Sequence, residues 1–143
     1  MKLELITLTG AKIQDDVYEV MVPTPTGTIA LFPGHMPLVT LAVPGVISVR
    51  RKRSDGDDKL EHFASNGGVI EVGQNVRILV DEADHADDIQ EADARKALEE
   101  AQALKAKAKD RIALDDAQAM VDRQTTRLKV AELRRHHRRQ DKL

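Results

Sequence analysis

The sequence predicts an α+β chain in two domains: a β-rich domain, sandwich or barrel, over residues 1–85, then an antiparallel α-helical hairpin over residues 86–143. Three observations predict it. Every proline (Pro23, Pro25, Pro33, Pro37, Pro44) and every glycine lies before residue 74. Both residues punctuate short strands and are expelled from helix interiors, so a turn-rich part precedes a helical part, with the seam between Ala83 and Asp88. The first part holds short β-branched runs of period 2, and the second holds apolar residues at steps of three and four.

Taken in order, VYEVMVPT (17–24), GVISVRRKR (45–53), KLEHFAS (59–65) and NVRILVDE (75–82) read as strands. SDGDD (54–58) and EVGQN (71–75) supply turn chemistry at about hairpin spacing. Tyr18, Phe32 and Phe63 are the only aromatic residues, so the core must be built from Val, Ile and Leu. Each such side chain contributes roughly 1.5 to 3 kcal/mol when buried, enough for a small sandwich with little margin. Ala94, Ala97, Ala101, Leu104 and Ala108 mark the apolar face of one helix, and Ala117, Val121, Leu128 and Ala131 that of a second. KDRIALDD (109–116) interrupts them, and Asp115 or Asp116 is the expected cap of the second helix. Stripes made largely of alanine bury little area, so the hairpin is expected to be marginally stable and able to move.

Composition closes several routes. With 32% charged residues and no long apolar run, no segment suits a bilayer, and MKLELITLTG lacks the apolar stretch of a signal peptide; the expectation is a soluble, cytoplasmic chain. The absence of cysteine excludes disulfides, thiolate nucleophiles and thiolate metal sites. The histidines His35, His62, His85, His136 and His137 lack metal-ligand spacing, apart from the adjacent last pair. There is no Gly-rich phosphate loop and no nucleophile in a recognisable setting, so the reading is a non-catalytic protein with no cofactor and no metal. A net charge of −2 and the lack of an aromatic platform argue against nucleic acid. Charge is unevenly spread: DEADHADDIQEAD (81–93) has no lysine or arginine, whereas RLKVAELRRHHRR (127–139) is strongly basic, an arrangement that complements helix dipoles.

The segment TPTGTIALFPGHMPLVTLAVPGVISVR (24–50) carries a glycine, a short apolar strand, a Pro-Gly-His-x-Pro-Leu loop, then Pro-Gly and another strand. Together with ASNGGVIEV (64–72), VRILVDEADHADDI (76–89) and RLKVAELRR (127–135), it resembles the ε subunit of bacterial F-type ATP synthase, called δ in mitochondria. The resemblance covers the whole chain. It implies a β-sandwich of about ten strands and a helical hairpin, both riding on the rotor of a proton- or sodium-driven synthase at the cytoplasmic face of the inner membrane. The membrane is met only through Fo. The implied partners are the γ subunit and the c-ring, with the catalytic α and β subunits added when the hairpin extends and blocks hydrolysis.

In physical terms, Pro33 and Pro37 stiffen the loop and Gly34 permits its turn, so Phe32, Met36 and Leu38 offer apolar area and His35 a polar tip at small entropic cost. The resemblance assigns this contact to γ. It assigns the c-ring contact to Thr28 and Ile29, where relatives commonly carry an acid that is replaced here by Thr28. It assigns Arg127, Arg134, Arg135, Arg138 and Arg139 to an acidic segment of the β subunits. Some relatives bind ATP through Ile/Leu-Asp-x-x-Arg-Ala; here IQEADA (89–94) keeps Ile89 but has Gln90 for the aspartate and Asp93 for the arginine, which counts against tight binding. A shifted alignment would enlist Asp93 and Lys96, but lysine lacks arginine's planar fork. The alternative reading is an unrelated β-sandwich adaptor whose hairpin binds a protein partner.

Overall fold

The computed structural model describes residues 1–142. Ten strands come first: β1 (Lys2–Thr7), β2 (Gly10–Asp16), β3 (Glu19–Thr24), β4 (Gly27–Leu31), β5 (Leu38–Ala42), β6 (Gly45–Arg50), β7 (Glu61–Ser65), β8 (Gly68–Val72), β9 (Val76–Val80) and β10 (Ala83–His85). They form two five-stranded sheets, ordered β2-β1-β9-β8-β5 and β10-β7-β6-β3-β4. This is a sandwich rather than a closed barrel. Between the sheets lie Leu3, Leu5, Val20, Val22, Leu31, Ile47, Val49, Ile70 and Ile78, all fully buried, with Phe63 as the one aromatic in the core. β1 and β9 run parallel, and the other pairings are antiparallel.

The run 45–53 ends as a strand at Arg50, earlier than its composition suggests. Arg50 bonds Glu19 and Asp57 at 2.7 Å each, and Arg51 bonds Glu61 at 2.6 Å and Asp15 at 2.9 Å. These carboxylates, Glu19 first, hold the Arg50 guanidinium above its ordinary pKa. They pin the turn before β7, where Asp57–Lys59 form a single 3-10 turn.

β6 and β7 depart from half-buried strand alternation because both of their faces are covered. Ile47, Val49 and Phe63 point into the inter-sheet core, while Ser48, His62 and Ala64 lie buried on the opposite face. That face is covered by helix α2 (Arg111–Gln140), which follows α1 (Glu91–Lys107). A second, small core forms there from Ala64, Ala86, Ile89, Ala94, Val130 and Ala131.

The hairpin turn is tighter than the sequence suggests. It occupies only Ala108–Asp110, and the cap of α2 is Asp110, whose Oδ1 accepts the Ala113 amide N–H at 2.8 Å. Asp115, one of the two expected caps, lies inside the helix and pairs with Arg111. A cap at Asp110 starts the helix five or six residues earlier and satisfies its first amides without glycine or proline. Of the predicted α1 stripe, Ala94 and Ala101 are buried, but Leu104 is 52% exposed near the hairpin tip, beyond the sandwich. On α2 the largest buried side chain is Val130, which the stripe of Ala117, Val121, Leu128 and Ala131 leaves out. It faces the sandwich side.

Gly68 opens β8 where an added Cβ would sit 1.9 Å from the Leu79 carbonyl oxygen and 2.9 Å from Val80 Cα. Both are backbone atoms of a paired strand and have no rotamer to yield. Gly68→Ala is therefore expected to cost several kcal/mol and lower the melting temperature by at least about 10 °C, checked by thermal circular dichroism. A melting point within a few degrees of wild type would show that β8 and β9 can separate locally.

Candidate functional site: sandwich face, loop and latch

After β4 the chain turns through residues 32–37. The His35 amide donates to the Phe32 carbonyl at 3.1 Å, and Gly34 takes φ +85°, a conformation that favours glycine. His35 Nδ1–H donates to the Met36 carbonyl at 2.7 Å, which ties the ring to its own loop. Phe32 stacks edge-on against Tyr18 at 5.6 Å between centroids and remains 40% exposed, while Met36 is 72% exposed. Leu38 is half-buried against the core. So Met36, and one face of Phe32, are the available apolar surface of the loop.

That surface is continuous in kind with something the sequence reading did not identify. The register pairs Leu41 with Val69, Val69 with Leu79, and Leu79 with Ile6. Their strand neighbours Leu5, Ala42, Ile70, Ile78 and Val80 point into the core, so these four side chains stand in one row on the outer face of the first sheet. Leu41 is 59% exposed and Val39, on the same face of β5, 74% exposed. A row of apolar side chains across four strands is an interaction surface, whereas scattered exposed leucines are ordinary. The signal was present in VRILV (76–80), where outward positions should be polar and Leu79 is not.

At the β3–β4 turn, the Thr24 hydroxyl donates to the Gly27 carbonyl at 2.5 Å and closes the tip. Thr28 is exposed, and Ile29 is half-buried against the core.

Most arginines of α2 are already partnered. Arg127 bonds Asp84 at 2.7 Å, Arg123 bonds Glu82 at 2.9 Å, and Arg134 Nη1–H donates to the Ala86 carbonyl at 2.5 Å. Arg135 faces Glu91 at 3.3 Å and Arg138 faces Asp87 at 3.6 Å. Four acids between β9 and the first turn of α1, Glu82, Asp84, Asp87 and Glu91, are thus met by arginines of α2. Arg139 is exposed and lines a cleft with Arg134, Arg135, Arg138, Lys142 and Glu91. Ile89 is buried in the small core, and Asp93 and Lys96 are exposed on α1. Among the described residues no group of His, Asp or Glu is arranged to hold a metal, and no helix is long and apolar enough to cross a membrane.

Residues 1–86 match the family model for the ATP synthase Delta/Epsilon chain, β-sandwich domain. The chain belongs to this family. An ATP synthase epsilon chain from Chloroflexus aggregans is 34% identical over 139 residues, covering 96% of each chain. One from Xanthomonas campestris pv. campestris is 40% identical over 107 residues, covering 74% of each. Similarity to the first of these epsilon chains extends through the hairpin as well as the sandwich. In fold, the chain matches one from the cryo-EM structure of the Euglena gracilis mitochondrial ATP synthase, OSCP/F1/c-ring, with TM-score 0.76 and 23% identity, over 92% of this chain and 80% of that one. A chain of the Tetrahymena thermophila mitochondrial ATP synthase central stalk and c-ring gives TM-score 0.59 at 13% identity, over 92% and 96%.

Within this epsilon-type architecture the Arg127–Asp84 pair is the best-sheltered link between hairpin and sandwich, with side chains 20% and 32% exposed. A double-mutant cycle of Asp84→Asn and Arg127→Gln on hairpin docking should give a coupling of about 1 kcal/mol, above that of an exposed pair. A coupling indistinguishable from zero would reduce the pair to a bystander of apolar packing.

Proposed function

We propose that this chain is the non-catalytic epsilon-type rotor subunit of an F-type ATP synthase, coupling the γ subunit to the c-ring while its hairpin restrains ATP hydrolysis. The observation that carries the proposal is the apolar row Ile6–Leu79–Val69–Leu41 on the outer face of the first sheet, with Val39 and the Phe32–Met36 loop adding to the exposed apolar surface. A rigid sheet face of this kind binds by burying preformed area, with little ordering cost. Its natural occupant in an epsilon-type subunit is γ. The exposed Thr28 at the β3–β4 turn offers a neutral polar contact to the c-ring, with Ile29 behind it. Family membership removes the alternative of an unrelated adaptor.

The regulatory part of the proposal rests on charge. In the docked hairpin Arg127, Arg134, Arg135 and Arg138 are held by Asp84, the Ala86 carbonyl, Glu91 and Asp87. Extension would release these cations and carry the exposed Arg139 with them to an acidic segment of the catalytic β subunits, where complementarity would steer and hold the helix. Docked and extended states then compete for the same side chains. The complex operates at the cytoplasmic face of the membrane, which this chain meets only through the other subunits.

Two outcomes test the two halves. Leu41→Asp with Leu79→Asp should weaken binding to γ at least about tenfold in a titration, because both would desolvate a carboxylate at the contact; unchanged affinity would remove the sheet face from the interface. Steady-state ATP hydrolysis by the α, β and γ core should be suppressed by the wild-type chain and relieved by Arg135→Glu, Arg138→Glu and Arg139→Glu together, with γ still bound. If the triple variant inhibits as well as wild type, electrostatic capture by β is wrong.

A further inference from the structure

Beneath α2, on the outer face of β7, lies a histidine that the functions above do not use. His62 is 6% exposed. Its Nδ1 shares a hydrogen bond of 2.8 Å with the Ser48 hydroxyl of β6, and its Nε2 is buried with no partner among the described residues. What faces it from the hairpin is another histidine, His137 of α2, with ring centroids 5.2 Å apart.

The surroundings are mixed in charge. From α2 come Arg134, His137 and Arg138, and from the residue after it Asp141, all lining a cleft of about 180 Å³ that includes His62. From the sandwich side come Glu61 of β7, His85 of β10, Asp87 just after β10 and Asp58 of the turn before β7. Glu61, His85 and Asp87 have partners of their own. Glu61 binds Arg51 at 2.6 Å, and His85 lies 3.7 Å from both Glu61 and Asp87 while its Nδ1 accepts the Asp87 amide N–H at 3.1 Å. Asp87 in turn faces Arg138. Among the described residues none of these carboxylates bonds His62, so a proton on Nε2 would find no acceptor while α2 is in place.

We propose that the His62–His137 contact is a proton-operated release for the hairpin, in which protonation of His62 expels α2 from the sandwich. The docked helix tolerates His62 only as a neutral ring, since the cation would be dehydrated and set against His137 and the arginines beside it. Once α2 lifts, the same ring meets water and accepts a proton freely. Burial first, then the charges of His137 and His85, lower the His62 pKa from 6.5 to about 4 in the docked state.

The direction of the effect follows from linkage. A histidine whose pKa is depressed by docking favours docking fully above its ordinary value, and this contribution is lost as pH falls from 6.5 towards 4. Between pH 7.5 and 5.5 the docking constant should fall about tenfold. The inference concerns the hairpin of the isolated chain and stands apart from the proposed contact with γ.

The chain contains no cysteine, so Lys12→Cys on β2 and Lys129→Cys on α2, both at exposed positions, allow two fluorophores to report the sandwich-to-helix distance. Urea titrations of energy transfer at pH 7.5 and 5.5 give the docking constant at each pH. The expected result is a fall of about tenfold in the labelled chain and less than twofold when His62→Gln is added, because every other titrating group is kept. An unchanged docking constant in the labelled chain, or an equal fall with and without His62→Gln, would overturn the proposal. A second measurement leaves His62 in place: its proton resonance should titrate near pH 4 in wild type and near 6.5 when Ala131→Glu has displaced α2. The same midpoint in both proteins would show that the hairpin does not control the ring.

Discussion

The contact between α2 and the outer face of β6 and β7 is the constraint that decides how the two parts of this molecule are held together. Val130 and Ala131 meet Ala64, Ala86 and Ile89 in a core with no side chain larger than isoleucine. Roughly 0.8 kcal/mol per buried methylene cannot make such a cluster strongly cohesive. The sandwich, by contrast, closes around Leu, Ile, Val and Phe side chains drawn from both sheets and does not need the hairpin for its core. The molecule therefore joins a well-packed body to a weakly packed arm, and weak packing is what allows an arm to have two positions.

Electrostatics supplies what alanine packing lacks. Glu82, Asp84, Asp87 and Glu91 follow one another from just before β10 to the start of α1, and Arg123, Arg127, Arg138 and Arg135 meet them from α2. Most of these pairs are exposed and individually weak. Spread along the helix, they set its register on the sandwich more than they add to its stability. Because the arginines are borrowed from any partner that the free helix would meet, the docked arm is also a device for hiding its own binding surface. The opposite sheet is arranged differently: its apolar row is permanently displayed, so contact there needs no rearrangement.

Legibility in the sequence followed the range of the interactions. VYEVMVPT, GVISVRRKR, KLEHFAS and NVRILVDE all contain real strands, because β-branched runs and turn residues act within a few positions. The remaining strands, and the choice of sandwich over barrel, were readable only through family resemblance. β5 and β10 are too short, or too ambiguous in pattern, to declare themselves. Two local readings were displaced: the cap moved to Asp110, and the predicted apolar stripe of α2 omitted Val130. Both concern where a helix meets its surroundings, and a periodicity argument sees only the helix.

By itself, the sequence determined that a glycine- and proline-punctuated β domain precedes an uninterrupted helical pair, that the core is aliphatic, and that acid and base are segregated along the second part. Each is a property of neighbouring residues. Only the tertiary structure decided that Ile6, Leu41, Val69 and Leu79 form one row, since strand register brings together residues from four separate segments. It likewise decided that His62 faces His137 rather than water, and that most arginines of α2 are already engaged. A residue's surroundings in these cases come from chain segments tens of residues away, and only the balance of packing across the whole fold can say which of them arrive.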